Sequence, residues 1–262
     1  MRIGRWDRER IADRALLAGV VLGCWWIGAR WLPSYVLPSP ERVAVKLAQL
    51  SATGDLWRNL ATTLLRVVAG FAASILIGLP IGLAAGRFGR FGRLVSPILP
   101  IMNTVSSAIW AIFALLWFGL SPLATIFVVF MTGLPLIVGN VREGAEAVDP
   151  GLVEMGLTLQ LSRMDVLRKI YLPSVLPYLF AGARLAFGFG WRVSLVAEAL
   201  GATSGVGYRL RQASDLNQTD QVFAWTLVQV AMMLLIETAA IRPLERHLFR
   251  WRRPVARSDG SP

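Results

Sequence analysis

The sequence predicts an all-α integral membrane protein with about six transmembrane helices, and three observations carry that reading. Hydrophobic residues make up 55% of the 262 and charged residues 16%, well below the ~25% charge of a typical soluble domain. Several apolar runs reach the ~20 residues that a helix needs to cross a ~30 Å hydrocarbon layer. Basic residues also gather in alternate connecting segments, as positive-inside topology requires.

The first span is expected at about 15–32, after a basic segment over 1–14. "LLAGVVLGC" loosely resembles the end of a lipoprotein signal, but Asp7, Glu9 and Asp13 precede it. Leu22 stands where a small residue is usual, and the apolar run continues through Trp25, Trp26 and Ile27, so a retained helix is expected. Ser39 can then cap, and Pro40 open, a short interfacial helix with Val43, Leu47 and Leu50 on one face.

The second span, about 60–85, holds Gly78, Gly82 and Gly86, spaced for close helix approach, with Pro80 as a candidate hinge. A third is expected over 94–118, with Asn103 and Ser106 in its middle, and a fourth over 123–141. A long inner loop over 142–173 precedes spans five (174–199) and six (222–241), and a basic tail fills 242–262. "GATSGVG" at 201–207 reads as an outer turn. Trp25, Trp26, Trp31 and Trp117 fall at span ends, where indoles anchor to the interface.

With both termini inside, eighteen Lys and Arg lie on the inner side against five outside. Topology therefore accounts for the formal net charge of +11, with attraction to anionic headgroups and without nucleic acid. A single cysteine, Cys24, excludes an intrachain disulfide and a Cys-rich metal site. His247 is the one histidine, which leaves little for zinc or His-based catalysis. No G-x-x-x-x-G-K-[ST] loop is present, and the segments between spans are too short for an ATPase.

Charged residues inside spans need reasons, because each ionised group costs about 2.5–3.5 kcal/mol at a helix centre. Arg66, Arg184, Arg192 and Glu198 are the cases. Arg184 is near enough to the inner surface to snorkel. Arg192 either lines a polar path or bonds neighbouring carbonyls, and Trp191 beside it is either a wall of that path or core. Glu198 gates or packs the outer mouth, or caps its helix in solvent. Asn103 and Ser106 offer neutral hydrogen bonds to a solute or to helix backbone.

The inner loop is the most informative stretch. Asp149 and Pro150 can start a short helix. Leu152, Met155, Gly156 and Leu159 then share one side, and Glu154 lies on another. After Ser162 a second short helix carries Met164, Leu167, Ile170 and Tyr171, and Leu172-Pro173 is expected to end it. Two readings fit: a folded knob that plugs into a soluble partner, or an amphipathic connector lying on the membrane.

"VDPGLVEMGLTLQLSRMDVLRKIYLPSVLP" resembles the EAA loop of ABC-importer permeases, E-A-A, three residues, G, nine residues, I-x-L-P. Glu154, Ile170 and Leu172-Pro173 fit their slots. Met155 and Gly156 replace the alanines, and Gln160 replaces the glycine, so Gln160 must either take a strained backbone or straighten the bend. "LPSP", "LLRVVAGF", "GLPIGLAAG", "LLWFGLS" and "WRVSLVAEALGATSGVGY" extend the likeness to the nitrate, sulfonate and taurine branch. "SSAIWAI" at 106–112 lacks that branch's usual prolines, which puts the shape of the third span in question.

The resemblance implies a type I importer permease of the bacterial inner membrane, paired with a second copy. Two separate ATPase subunits would grip Glu154, Gly156, Gln160, Ser162, Arg163, Ile170 and Pro173, and an external binding protein would deliver a small polar or anionic solute. This chain would bind no cofactor, and ATP would belong to the partner. An ion-coupled secondary carrier is the competing class; it needs intramembrane carboxylates, for which Glu198 and Glu237 are the candidates. A membrane-embedded enzyme would need clustered His, Asp or Cys on inner faces, and the sequence shows no such cluster.

Overall fold

The computed structural model describes residues 5–248, and every regular element among them is helical. Arg2, Arg250, Arg252, Arg253 and Arg257 lie outside the described residues, as do the side chains of Arg5, Arg8, Arg10 and Arg14. Thirteen helices follow in order: α1 (Arg5–Trp31), α2 (Pro40–Ala52), α3 (Asp55–Arg87), α4 (Gly89–Val95), α5 (Ile98–Thr104), α6 (Ser107–Phe118) and α7 (Pro122–Glu146). They continue with α8 (Pro150–Thr158), α9 (Arg163–Val166), α10 (Leu172–Gly201), α11 (Val206–Asp215), α12 (Thr219–Ile236) and α13 (Arg242–Leu248).

Helices α3, α7 and α10 form the centre, with α7 packed along both of the others. Small residues permit this. Gly70, Ser74, Gly78, Gly82 and Gly86 recur every fourth residue on α3 and face Val129, Gly133, Ile137, Val141 and Ala145 of α7. Helix α3 runs unbroken through Pro80.

On the other side α12 docks on α10 through a reciprocal pair of hydrogen bonds. Trp191 Nε1 donates to the Gln229 carbonyl at 3.2 Å, and Gln229 Nε2 donates to the Trp191 carbonyl at 3.0 Å. Around that clamp Leu60, Val67, Phe187, Trp225 and Val228 make the main apolar cluster.

Among the described residues, four helices are long and apolar enough to cross a membrane, or five if a bent pair counts as one span. The bent pair corrects the expected span over 94–118. Gly89–Thr104 and Ser107–Phe118 meet at 94°. Val105 and Ser106 take extended backbone, and Ser106 Oγ accepts the Ala108 N–H at 3.4 Å as the cap of α6. A serine that caps a new helix cannot continue the old one. Asn103 and Ser106 therefore stand at a corner, both exposed, and not in mid-span.

The apolar part of α1, Leu16–Trp31, is shorter than these spans. It is tied to the rest by Trp25, whose Nε1 donates to the Pro38 carbonyl at 3.1 Å and whose ring stacks on Phe223. Helix α2 is the short helix expected there, opened by Ser39 and Pro40, with Val43 buried.

A second correction concerns Leu172-Pro173, which does not end a helix. Residues Arg163–Gly201 form one continuous helix. Proline at 173 has no N–H for the Lys169 carbonyl, which would break a regular ladder. The chain widens instead into a π turn over Leu167–Tyr171, where the Leu172 N–H reaches back to the Leu167 carbonyl. The defect is absorbed there, so α9 and α10 stay in line.

Candidate functional site

Two constellations stand out, one at each end of the bundle. At the end where α10 begins, α8 and α9 fold into a knob. Asp149 caps α8, its Oδ1 accepting the Gly151 N–H at 2.8 Å. Ser162 caps α9: its Oγ accepts the Asp165 N–H at 3.1 Å and donates to Asp165 Oδ2 at 2.6 Å. Lys169 then pairs with Asp165 at 3.1 Å. Ser162 thus orders the knob from within, while Arg163 beside it is exposed.

The bend between α8 and α9 is a Schellman turn. The Leu161 N–H reaches the Gly156 carbonyl and the Gln160 N–H the Leu157 carbonyl, each at 3.0 Å. This geometry needs a left-handed residue after the helix, and Gln160 supplies it with φ 58°. Of the two outcomes open to a glutamine here, the strained backbone is the one adopted. Gln160→Gly is expected to stabilise the knob by about 1 kcal/mol, the usual cost of a left-handed L-residue. Slower amide exchange over 150–170, with unchanged protection elsewhere, would show it; faster exchange would contradict it.

Gly156 is buried and sets the contact between the helices. A Cβ there would lie 3.0 Å from Ile170 Cδ1 and 3.4 Å from Leu161 Cδ1. With Val166 these residues form a small interior. The outer surface is apolar without being covered. Leu152, Met155, Leu157, Leu159 and Met164 are each between 45% and 67% exposed, and Glu154 is exposed as well.

The second constellation lies at the far end, where α10 finishes. Glu198 is fully buried and pairs with Arg66 of α3 at 2.8 Å; Arg66 is 6% exposed. Thr63 Oγ1 donates to the same carboxylate at 2.8 Å and accepts the Val206 N–H at 2.9 Å. The Gly207 N–H donates to Glu198 Oε2 at 3.0 Å, and the Gly205 N–H to Asn59 Oδ1 at 2.8 Å. Arg66 also holds the Ser204 carbonyl and hydroxyl, at 2.7 and 2.8 Å.

This clasp ties α3, α10 and the 202–207 turn together, and α11 follows from it. Gly205 has φ 106°, and a Cβ there would run into the Glu198 carboxylate. Helix α11 itself was not expected, although "VGYRLRQASD" alternates polar and apolar residues at helical spacing.

The expected path residues therefore separate. Trp191 and Glu198 are internal, one in the core clamp and the other in the clasp. Asn103 and Ser106 occupy the α5–α6 corner. Of these five, Arg192 alone is both within a span and exposed; its guanidinium lies 6.0 Å from the Phe189 ring centroid and makes no ion pair among the described residues. Sequence reasoning placed Arg66 in a span without a role and missed Asn59 and Thr63. The signal was available, since 59, 63 and 66 share one face of α3.

Comparison with known proteins fits this arrangement. The family described as "Binding-protein-dependent transport system inner membrane component" matches residues 75–250. The putative aliphatic sulfonates transport permease protein SsuC of Escherichia coli is 34% identical over 244 residues, 92% of each chain. Its counterpart in Bacillus subtilis is 30% identical, covering 90% of this chain and 86% of that one. The taurine transport system permease protein TauC of Escherichia coli is 27% identical over 94% of this chain and 92% of its own.

An inward-facing structure of the MetNI methionine ABC transporter superposes with a TM-score of 0.64, at 23% identity, over 76% of this chain and 98% of that one, and supports the fold. These matches displace the secondary-carrier reading. The chain belongs to the binding-protein-dependent transport system inner membrane component family and is a membrane-embedded permease of an ABC importer.

Proposed function

We propose that this permease moves a small polar or anionic solute of the sulfonate or taurine class across the bacterial inner membrane, driven by two separate ATPase subunits that grip the α8–α9 knob. The solute class rests on the relatives' names, aliphatic sulfonates and taurine. The observation that carries the coupling is the knob. It is capped at both helices and has its own interior, yet it shows a patch of large apolar side chains to its surroundings. An amphipathic helix of this kind docks into a groove on a partner. ATP belongs to that partner, and an external binding protein delivers the solute.

Arg192 supports a paired assembly. It lies nine residues before Gly201, about 14 Å along the helix and so near the middle of a ~30 Å layer. An arginine facing lipid there costs about 2.5–3.5 kcal/mol. On our reading its face, shared with Leu185, Phe189 and Val196, turns to a second copy and the water-filled path between the two. Both termini then lie in the cytoplasm, with a single permease domain over 15–241. Closure of the ATPase pair swings the two knobs and biases the spans between two packings.

Glu154→Lys tests the coupling. Charge reversal on the exposed surface of the knob is expected to lower ATPase retained on the purified permease by at least about tenfold. Membrane insertion should be unchanged. Pull-down at the wild-type level would remove the knob as the coupling element.

A further inference from the structure

Beside the clasp and the knob, the structure holds a third feature, where α13 folds back against α10. A cleft of about 930 Å3 opens there, lined by Phe180, Arg184, Arg242, Glu245 and Arg246 among others. Its charges are unevenly matched. Arg184 is held by Glu237, and by Glu245 at 3.3 Å; Arg242 lies 3.6 Å from Glu237. Three arginines thus meet two carboxylates, and Arg246 is exposed with no ion pair among the described residues.

A second cleft of about 540 Å3 adjoins the first, and Phe180 and Arg184 line both. Its other walls are apolar, with Val68, Phe71 and Ile75 from α3, Leu179 from α10 and Leu244 from α13 among them. It runs along α10 from Leu176 to Phe187, eleven residues or about 16 Å. Arg184 is seventeen residues from Gly201, about 26 Å, so the charges sit close to a bilayer surface.

An apolar groove that runs beside surplus positive charge has the chemistry of a phospholipid site. We infer that these joined clefts hold one anionic phospholipid of the surrounding membrane per chain. An acyl chain lies between α3, α10 and α13, and the phosphate faces Arg184, Arg242 and Arg246. Basic side chains of α13 meet the headgroup, while Leu244 and Leu248 on its other side close the groove.

Native mass spectrometry of the purified full chain, exchanged into phosphatidylglycerol or phosphatidylcholine of equal acyl length, tests this. Wild type should retain one phosphatidylglycerol over phosphatidylcholine by about fivefold, the share of the one arginine in surplus. Arg242→Gln combined with Arg246→Gln should lose the preference for phosphatidylglycerol while still binding phosphatidylcholine, because the groove is intact and the positive surplus is gone. Ala183→Trp, which fills the groove, should retain neither.

Equal retention of the two lipids by wild type would overturn the inference. So would a preference that survives the paired glutamine substitutions. Displacement of the lipid by excess inorganic phosphate would also overturn it, by making the cleft a site for free anions. Both arginines are exposed, so the glutamine variant folds and its result stands even if Ala183→Trp does not.

Discussion

Glu198→Ala is expected to cost about 3–5 kcal/mol of stability, since it leaves Arg66 buried and uncompensated. The consequence reaches beyond one pair. The carboxylate receives the Thr63 hydroxyl, the Arg66 guanidinium and the Gly207 N–H, and each would lose its partner in the same step. Arg66→Met should do comparable damage from the other side, by leaving the carboxylate without its cation. Combining Arg66→Met with Glu198→Ala should be less harmful than the two losses added, by about 0.5–3 kcal/mol, because no net charge is then buried.

A surface pair provides the contrast. Arg211 and Asp215 lie 3.5 Å apart and are more than half exposed, so Asp215→Ala should change stability by less than about 1 kcal/mol. Thermal unfolding of the purified protein in one detergent measures all four variants. If Glu198→Ala and Asp215→Ala melt alike, the clasp is not a structural keystone.

The clasp also shows which parts of the molecule could be read without coordinates. Hydropathy is a local property, so α3, α7, α10 and α12 were visible as apolar runs. The partner of Glu198 was not, because it lies 132 positions away and no spacing rule reaches that far. What the sequence did carry was the stripe on α3, where Asn59, Thr63 and Arg66 lead directly into Gly70, Ser74 and Gly78 at helical period. Read as one face, that stripe points to a neighbour that is polar at one end and tightly packed along the rest.

Two local rules misled for related reasons. Hydropathy cannot register a change of chain direction, so the 94–118 run looked like one span although Ser106 carries a capping signal. Proline at 173 was read as a stop, although a single widened turn compensates for the missing N–H when the helix is held on both sides. The knob was legible through its capping residues and through Gly156. Gln160 was legible as a departure from a pattern, and the structure resolved it as a left-handed residue.

The packing stripe yields the second large effect. Gly82→Ala is expected to cost about 1–3 kcal/mol, and Gly82→Leu more, because there is no room for even a methyl group. A Cβ at 82 would lie 2.7 Å from Val141 Cβ and 3.0 Å from the Val138 carbonyl oxygen. Neither neighbour can yield cheaply, one being a β-branched carbon next to the backbone and the other the backbone itself. Within a bilayer, close packing is the main force between helices, since lipid offers no hydrophobic drive to join them. Separating α3 from α7 should therefore loosen the centre of the bundle.

Gly139 on α7 is the matched control. No heavy atom would come within 4 Å of a Cβ there, so Gly139→Ala should be neutral or gain up to about 1 kcal/mol from helix propensity. Melting temperatures that move in opposite directions for the two glycines would establish that contact geometry, and not glycine content, decides the outcome. Equal shifts would mean that α3 and α7 are not held by this seam.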